Sequence, residues 1–63
     1  MNERASRFRC DSMLTALLGK EQVTTWWNSP NRAFENRTPN EQWKVDRRLV
    51  ENYLYAQCSG DYL

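Results

Sequence analysis

The run Trp26-Trp27-Asn28-Ser29-Pro30-Asn31-Arg32-Ala33-Phe34-Glu35-Asn36-Arg37-Thr38-Pro39 constrains this chain most. It contains a helix stop, a turn and a helix start. Pro30 disfavours helical geometry at Ser29, so a helix carrying Val23, Trp26 and Trp27 must end just before it. Thr38-Pro39-Asn40-Glu41 then opens the next helix. Thr at the N-cap accepts from a free backbone N–H, and Glu three residues on returns a bond to the cap. Pro at the first helical position loses nothing, because that N–H has no helical partner. Residues 29–37 must therefore be a connection, with Asn31 and Asn36 best suited to turn geometry. Phe34 is its lone large apolar residue and reads as a plug that pins the loop to the core.

Helical periodicity extends to both sides. Met13, Leu14, Leu17 and Leu18 form one stripe over residues 10–18, which Asp11 or Ser12 can cap. Residues 1–9 are polar and charged, either a frayed segment or an extension of that helix; a start near Glu3 would add Phe8 to the stripe. Gly19 suits the position that ends the helix. A second helix runs from residue 20 or 21 to 28, with Val23, Trp26 and Trp27 on one face; Thr24-Thr25 weakens its propensity, so packing must hold it. A short third helix carries Trp43. Asp46 caps or breaks the chain before a fourth helix over residues 47–58, with Leu49, Val50, Tyr53, Leu54 and Cys58 on one face. Gly60 closes it, and Asp61-Tyr62-Leu63 follows. No strand-like alternation or repeat is present. The expected fold is all-α: a single small domain of about four short helices with one long connection.

A chain of 63 residues supports one domain, and domains of ~60 residues bury only about 60% of the surface their unfolded chains expose. Three Trp and three Tyr exceed what so small a core can hold. Trp26 reads as core. Trp27 and Trp43 are the candidates to face a partner, since one helix rarely buries two adjacent Trp equally and such rings carry much interface energy. Starting at Met1, the chain fits a whole small open reading frame. Its N-terminus lacks the apolar stretch of a signal peptide and no run is long enough for a membrane span, so residence in the cytoplasm is expected. Free thiols at Cys10 and Cys58 go with that compartment, although one disulfide is geometrically possible.

The chain has no His, which removes the commonest general base and metal ligand. Two distant Cys do not make a zinc site. The only glycines are Gly19 and Gly60, so no phosphate-cradling loop exists. The carboxylates are scattered. No catalytic residue, cofactor or metal is expected, and an enzyme is not the reading. A net charge of +1 argues against nucleic acid, whose binders carry a strong basic excess. A small DNA- or transcription-associated regulator using Arg4, Arg7, Arg9, Arg47 and Arg48 is the competing reading. Self-assembly into a homo-oligomer is a third.

Trp26-Trp27, Asn28-Ser29-Pro30-Asn31 and Arg37-Thr38-Pro39, in this order, resemble the signature of the toxin-binding domain at the C-terminus of Xre/ParS/MbcA-type antitoxins. The resemblance covers about residues 17–63, from Leu17-Leu18-Gly19 to the Gly-x-aromatic-x ending at Gly60-Asp61-Tyr62-Leu63. The helix-turn-helix domain that usually precedes this module is missing. Glu35-Asn36 stands where the family usually has Gly-Gly, so the turn must form without glycine, which Asn36 accepts more easily than Glu35. The turn before the last helix is compressed to residues 44–46.

The resemblance implies a protein-binding module whose partner is a RES-type toxin, acting through NAD, or a related host enzyme. It implies that Gly60, Asp61, Tyr62 and Leu63 form an inhibitory tail reaching into the partner's cleft. Asp61 and the terminal carboxylate could pair with Arg there, and Tyr62 could fill an aromatic slot. The tail could equally be a terminus whose Tyr packs on the domain. So short a form without a DNA-binding domain suits a phage or mobile element.

Overall fold

The computed structural model describes residues 2–60. Within them lie three α-helices: α1 (Glu3–Leu18), α2 (Val23–Trp27) and α3 (Pro39–Ser59). The domain is all-α, as its periodicity requires. No described helix is long and apolar enough to cross a membrane.

α1 begins well before residue 10. The Asn2 side chain accepts from the Ala5 N–H at 2.8 Å, satisfying one of the donors a helix start leaves free. Residues 3–9 are thus the extension of the helix, not a frayed arm, and a boundary at residue 10 falls inside α1. Its buried stripe is Ser6, Cys10 and Leu14, spaced four apart. Small Ser6 and Cys10 let α1 pack against α3. Phe8, by contrast, is 73% exposed, and Leu17 and Leu18 keep 41% and 47% of their surface exposed; the expected stripe of Met13, Leu14, Leu17 and Leu18 buries only Leu14 fully.

Gly19 ends α1 at φ 96°, its N–H bonded to the Thr15 carbonyl. Positive φ is costly for any residue with a Cβ. A single 3-10 turn, Lys20–Gln22, leads into α2. The Thr24-Thr25 stretch thus forms little more than one α-helical turn, and Asn28 closes it by donating its N–H to the Thr24 carbonyl.

The long connection is folded on itself. Asn31 accepts through its side chain from the Ala33 N–H at 2.9 Å, starting a 3-10 turn over Arg32–Phe34. The Arg37 N–H bonds the Phe34 carbonyl at 3.0 Å, and the Asn31 N–H bonds the Arg37 carbonyl at 3.0 Å. Between Phe34 and Arg37 the chain turns on two left-handed residues, Glu35 (φ 57°) and Asn36 (φ 65°). Asn tolerates this region; Glu pays a Cβ–carbonyl crowding cost of roughly 1–2 kcal/mol. Phe34 is buried and locks the loop to the core.

Both halves of the capping box form at Thr38: the Glu41 N–H donates to Thr38 Oγ1 at 3.1 Å, and the Thr38 N–H to Glu41 Oε1 at 2.8 Å. α3 then breaks at Asp46, where φ −160° and ψ 97° are extended. The Asp46 carboxylate accepts from the Arg48 N–H at 3.0 Å, an N-cap for residues 47–59. The described residues therefore hold four α-helical segments, the last two meeting at a capped kink. Gly60 terminates α3 at φ 78°. The core is Cys10, Leu14, Trp27, Phe34, Trp43, Val50 and Leu54, with Met13, Val23, Trp26 and Tyr53 packed against it.

Candidate functional site

α2 carries two adjacent tryptophans, and about 100° separates neighbouring side chains on a helix of 3.6 residues per turn. The two rings therefore point to different neighbours. Trp27 turns inward, with 3% of its surface exposed. Its indole N–H donates to Asp11 Oδ1 on α1 at 2.7 Å. Trp43 meets it edge-on at 5.5 Å and is 6% exposed. The Trp43 N–H donates to Glu3 Oε2 at 3.0 Å. Buried indoles need such acceptors, and here α1 supplies both. The Arg7 guanidinium lies 3.5 Å from the centre of the Trp27 ring and 5.3 Å from Trp43. It also donates to Asn40 Oδ1 at 2.6 Å, and Asn40 donates in turn to Asn28 Oδ1 at 2.9 Å.

This overturns one expectation. Trp27 and Trp43 are core residues and offer no free surface to a partner. The reason is the N-terminal extension of α1, whose Glu3, Arg7 and Asp11 cover them. Trp26, expected in the core, is the half-buried ring of the pair.

The other side is open. Trp26 lies near-parallel to Tyr53 (centroids 6.4 Å, planes 23°) and edge-on to Phe34 at 6.3 Å. Phe34 and Tyr53 approach to 5.4 Å. Among the described residues, the Trp26 indole N–H has no hydrogen-bond partner. Two grooves flank Tyr53. One, of about 210 Å³, is lined by Leu14, Leu17, Leu18, Trp26, Tyr53 and Gln57. The other, of about 550 Å³, lies between the 31–37 loop and α3, with Phe34, Glu35, Arg37, Gln42, Leu49 and Tyr53 among its walls. Leu49 is 51% exposed. Leu17, Leu18, Trp26, Tyr53 and Leu49 thus make a nearly continuous apolar surface, the kind that marks interaction sites.

Gly60 sits at the C-terminal cap of α3, its N–H bonded to the Ala56 carbonyl at 3.0 Å. Asp61, Tyr62 and Leu63, the rest of the expected tail, lie outside the described residues. Both cysteines are free. Burial, reinforced by the Glu51 and Asp11 carboxylates, pushes the Cys10 thiol up to about 11. It is a packing group, not a nucleophile. Cys58 is exposed. Among the described residues no group of three or more His, Cys, Asp or Glu gathers to hold a metal ion.

Sequence reasoning missed the pairing of Asp11 and Glu3 with the two indoles, and with it the orientation of α2. The signal was present in outline: an acidic residue at both 3 and 11 lies on one side of a helix that starts early enough to contain both. Comparison of the chain with protein-family models, with curated proteins and with solved structures gives no match.

Proposed function

We propose that this chain is a protein-binding module of the antitoxin kind, acting in the cytoplasm to neutralise a RES-type toxin or a related host enzyme. It docks through the open aromatic side, and the segment after Gly60 blocks the partner's cleft. The observation that carries the reading is the apolar surface of Leu17, Leu18, Trp26 and Tyr53, where the indole N–H has no partner among the described residues. The motif residues support it indirectly. Asn31, Arg37, Thr38 and Pro39 build the loop and cap that hold Phe34 against Trp26 and Tyr53. In the tail, the Asp61 carboxylate suits a cleft that binds phosphates through Arg.

Arg7 lies on Trp27, and Arg9 donates to the Tyr55 hydroxyl at 3.3 Å. Two of the arginines that a nucleic-acid reading requires are therefore occupied within the fold, and protein binding is the better-supported function. The test is co-expression with RES-type toxins, reading growth and cellular NAD. The full chain restores both, and removal of residues 61–63 leaves the melting temperature nearly unchanged but abolishes rescue. Toxin activity unaffected by excess full chain would overturn the proposal.

A further inference from the structure

The larger groove differs from the smaller one in its rim. Glu35 and Arg37 stand on the loop edge with their charged groups 3.7 Å apart, both well exposed. Across from them, Leu49 rises from α3 and Asn52 adds an exposed amide, while buried Gln42 accepts from Arg37 through Oε1 at 3.2 Å. An amide both donates and accepts. The groove therefore carries one charge of each sign, one exposed amide that can pair with its own kind, and an apolar floor of Phe34 and Tyr53. A uniformly acidic or basic segment gains nothing from such a rim. A surface presenting the same two charges in reversed order gains both pairings, and a two-fold related copy of this chain presents that surface, because residue i then meets j while j meets i.

We infer that this groove is the contact of a homodimer. Glu35 pairs with the partner's Arg37 and Arg37 with the partner's Glu35, while each Leu49 covers the partner's Phe34 and Tyr53. Three further observations fit. The net charge of +1 leaves little long-range repulsion between copies. A domain this small gains more from covering apolar surface than a larger one does, and association is a common way to cover it. Glu35 is held in a left-handed conformation that glycine would adopt without strain, while its ion pair within the chain is exposed and weak; a bond to a second copy gives the carboxylate a use there. Tyr53 lines both grooves, so the dimer covers one flank of it and leaves the Leu17, Leu18 and Trp26 walls of the smaller groove open; the inference does not depend on the identity of the toxin.

Sedimentation equilibrium of the isolated full chain tests this, from micromolar to millimolar protein. The mass rises from one chain toward two, and less so at high salt. Leu49→Asp stays at one chain mass while its helical circular dichroism matches the parent, since Leu49 is outside the core. Glu35→Arg and Arg37→Glu are each monomeric alone, through like charges at both contacts. An equimolar mixture of these two restores the dimer, because every contact is again between opposite signs. Unfolding cannot mimic that recovery. A parent that stays monomeric at millimolar concentration, a Leu49→Asp variant that dimerises like the parent, or a mixture that remains monomeric would each overturn the inference.

Discussion

The two sides of α2 use aromatic rings in opposite ways. On the closed side, Trp27 and Trp43 are buried, their N–H groups end on Asp11 and Glu3, and Arg7 lies over both rings. On the open side, Trp26 and Tyr53 stack with similar ring contacts, but the indole N–H has no partner among the described residues and exposed leucines flank the pair. The difference teaches that ring packing alone does not distinguish a core from an interface. What distinguishes them is whether the polar atom of each ring is satisfied within the chain. A buried indole N–H without an acceptor costs roughly 1–3 kcal/mol, so the satisfied side can close, while the other keeps its polar atom in reach of water or of a partner.

The largest test of this contrast is to truncate each tryptophan. Trp27→Ala should cost about 3–5 kcal/mol, as for other large aromatic residues removed from a core. That is most or all of the stability a domain this small is expected to have, so the variant should be largely unfolded by circular dichroism. Trp26→Ala should remain folded, with its cost visible in partner binding. Equal destabilisation by the two substitutions would erase the distinction between the sides.

Next in size is a pH effect confined to the closed side. The Cys10 thiol ordinarily ionises near 9, and burial in the fold raises this to about 11. Below 9 the thiol is protonated in both states and the shift has no effect. Between 9 and 11 the unfolded chain releases the proton and the folded chain retains it, so stability falls as pH rises. Two units at 1.36 kcal/mol each set the full loss at about 2.7 kcal/mol, of which roughly 2 kcal/mol is reached by pH 11. Tyrosine ionisation overlaps this range, so the comparison is with Cys10→Ala in denaturant titrations. The stability gap between parent and variant should narrow between neutral pH and pH 11. A constant gap would mean that the thiol is not shielded as described.

Arg7→Ala probes the lid over the closed side. It removes a cation from two indole faces and a hydrogen bond to Asn40, for a loss of about 1–2 kcal/mol. Arg7→Lys should recover only part of this, because an ammonium lacks the planar stack. A thermal melt in which both variants match the parent would show that Arg7 is no more than a solvated surface residue.

The smallest effect belongs to the open side and has the opposite sign. Glu35→Gly relieves the left-handed strain at φ 57° and sacrifices an exposed ion pair of little worth. A gain of about 0.5–1 kcal/mol remains after the added flexibility of glycine in the unfolded chain. The stabilised variant should lose self-association, which separates strain from function at this position. A drop in melting temperature would show that Glu35 holds the loop together.

Much of this architecture is legible residue by residue. The stop before Pro30, the capping box at Thr38, the break at Asp46 and the glycine caps at 19 and 60 all act between residues no more than about four apart. Such signals do not depend on the rest of the fold. Phe34 as the loop's anchor was also readable, being the one large apolar residue between two helix boundaries. The left-handed pair Glu35-Asn36 was half legible: Asn36 suits the geometry, and Glu35 adopts it because closure of the loop by Asn31 and Arg37 leaves it no alternative.

The candidate site was less legible, and for one physical reason. Periodicity places Trp26 and Trp27 near the same apolar stripe, and nothing local ranks them. The choice is made by acceptors distant in the chain: Asp11 is 16 residues from Trp27, and Glu3 is 40 from Trp43. Likewise Leu17, Leu18 and Leu49 read as core by spacing, but the described core has no remaining wall to cover them. The sequence by itself determined where α1 and α2 end and where α3 starts, breaks and ends, because caps, proline and glycine act on their own neighbours. Only the tertiary structure decided which rings close and which stay open, because burying an indole requires an acceptor that another helix must bring.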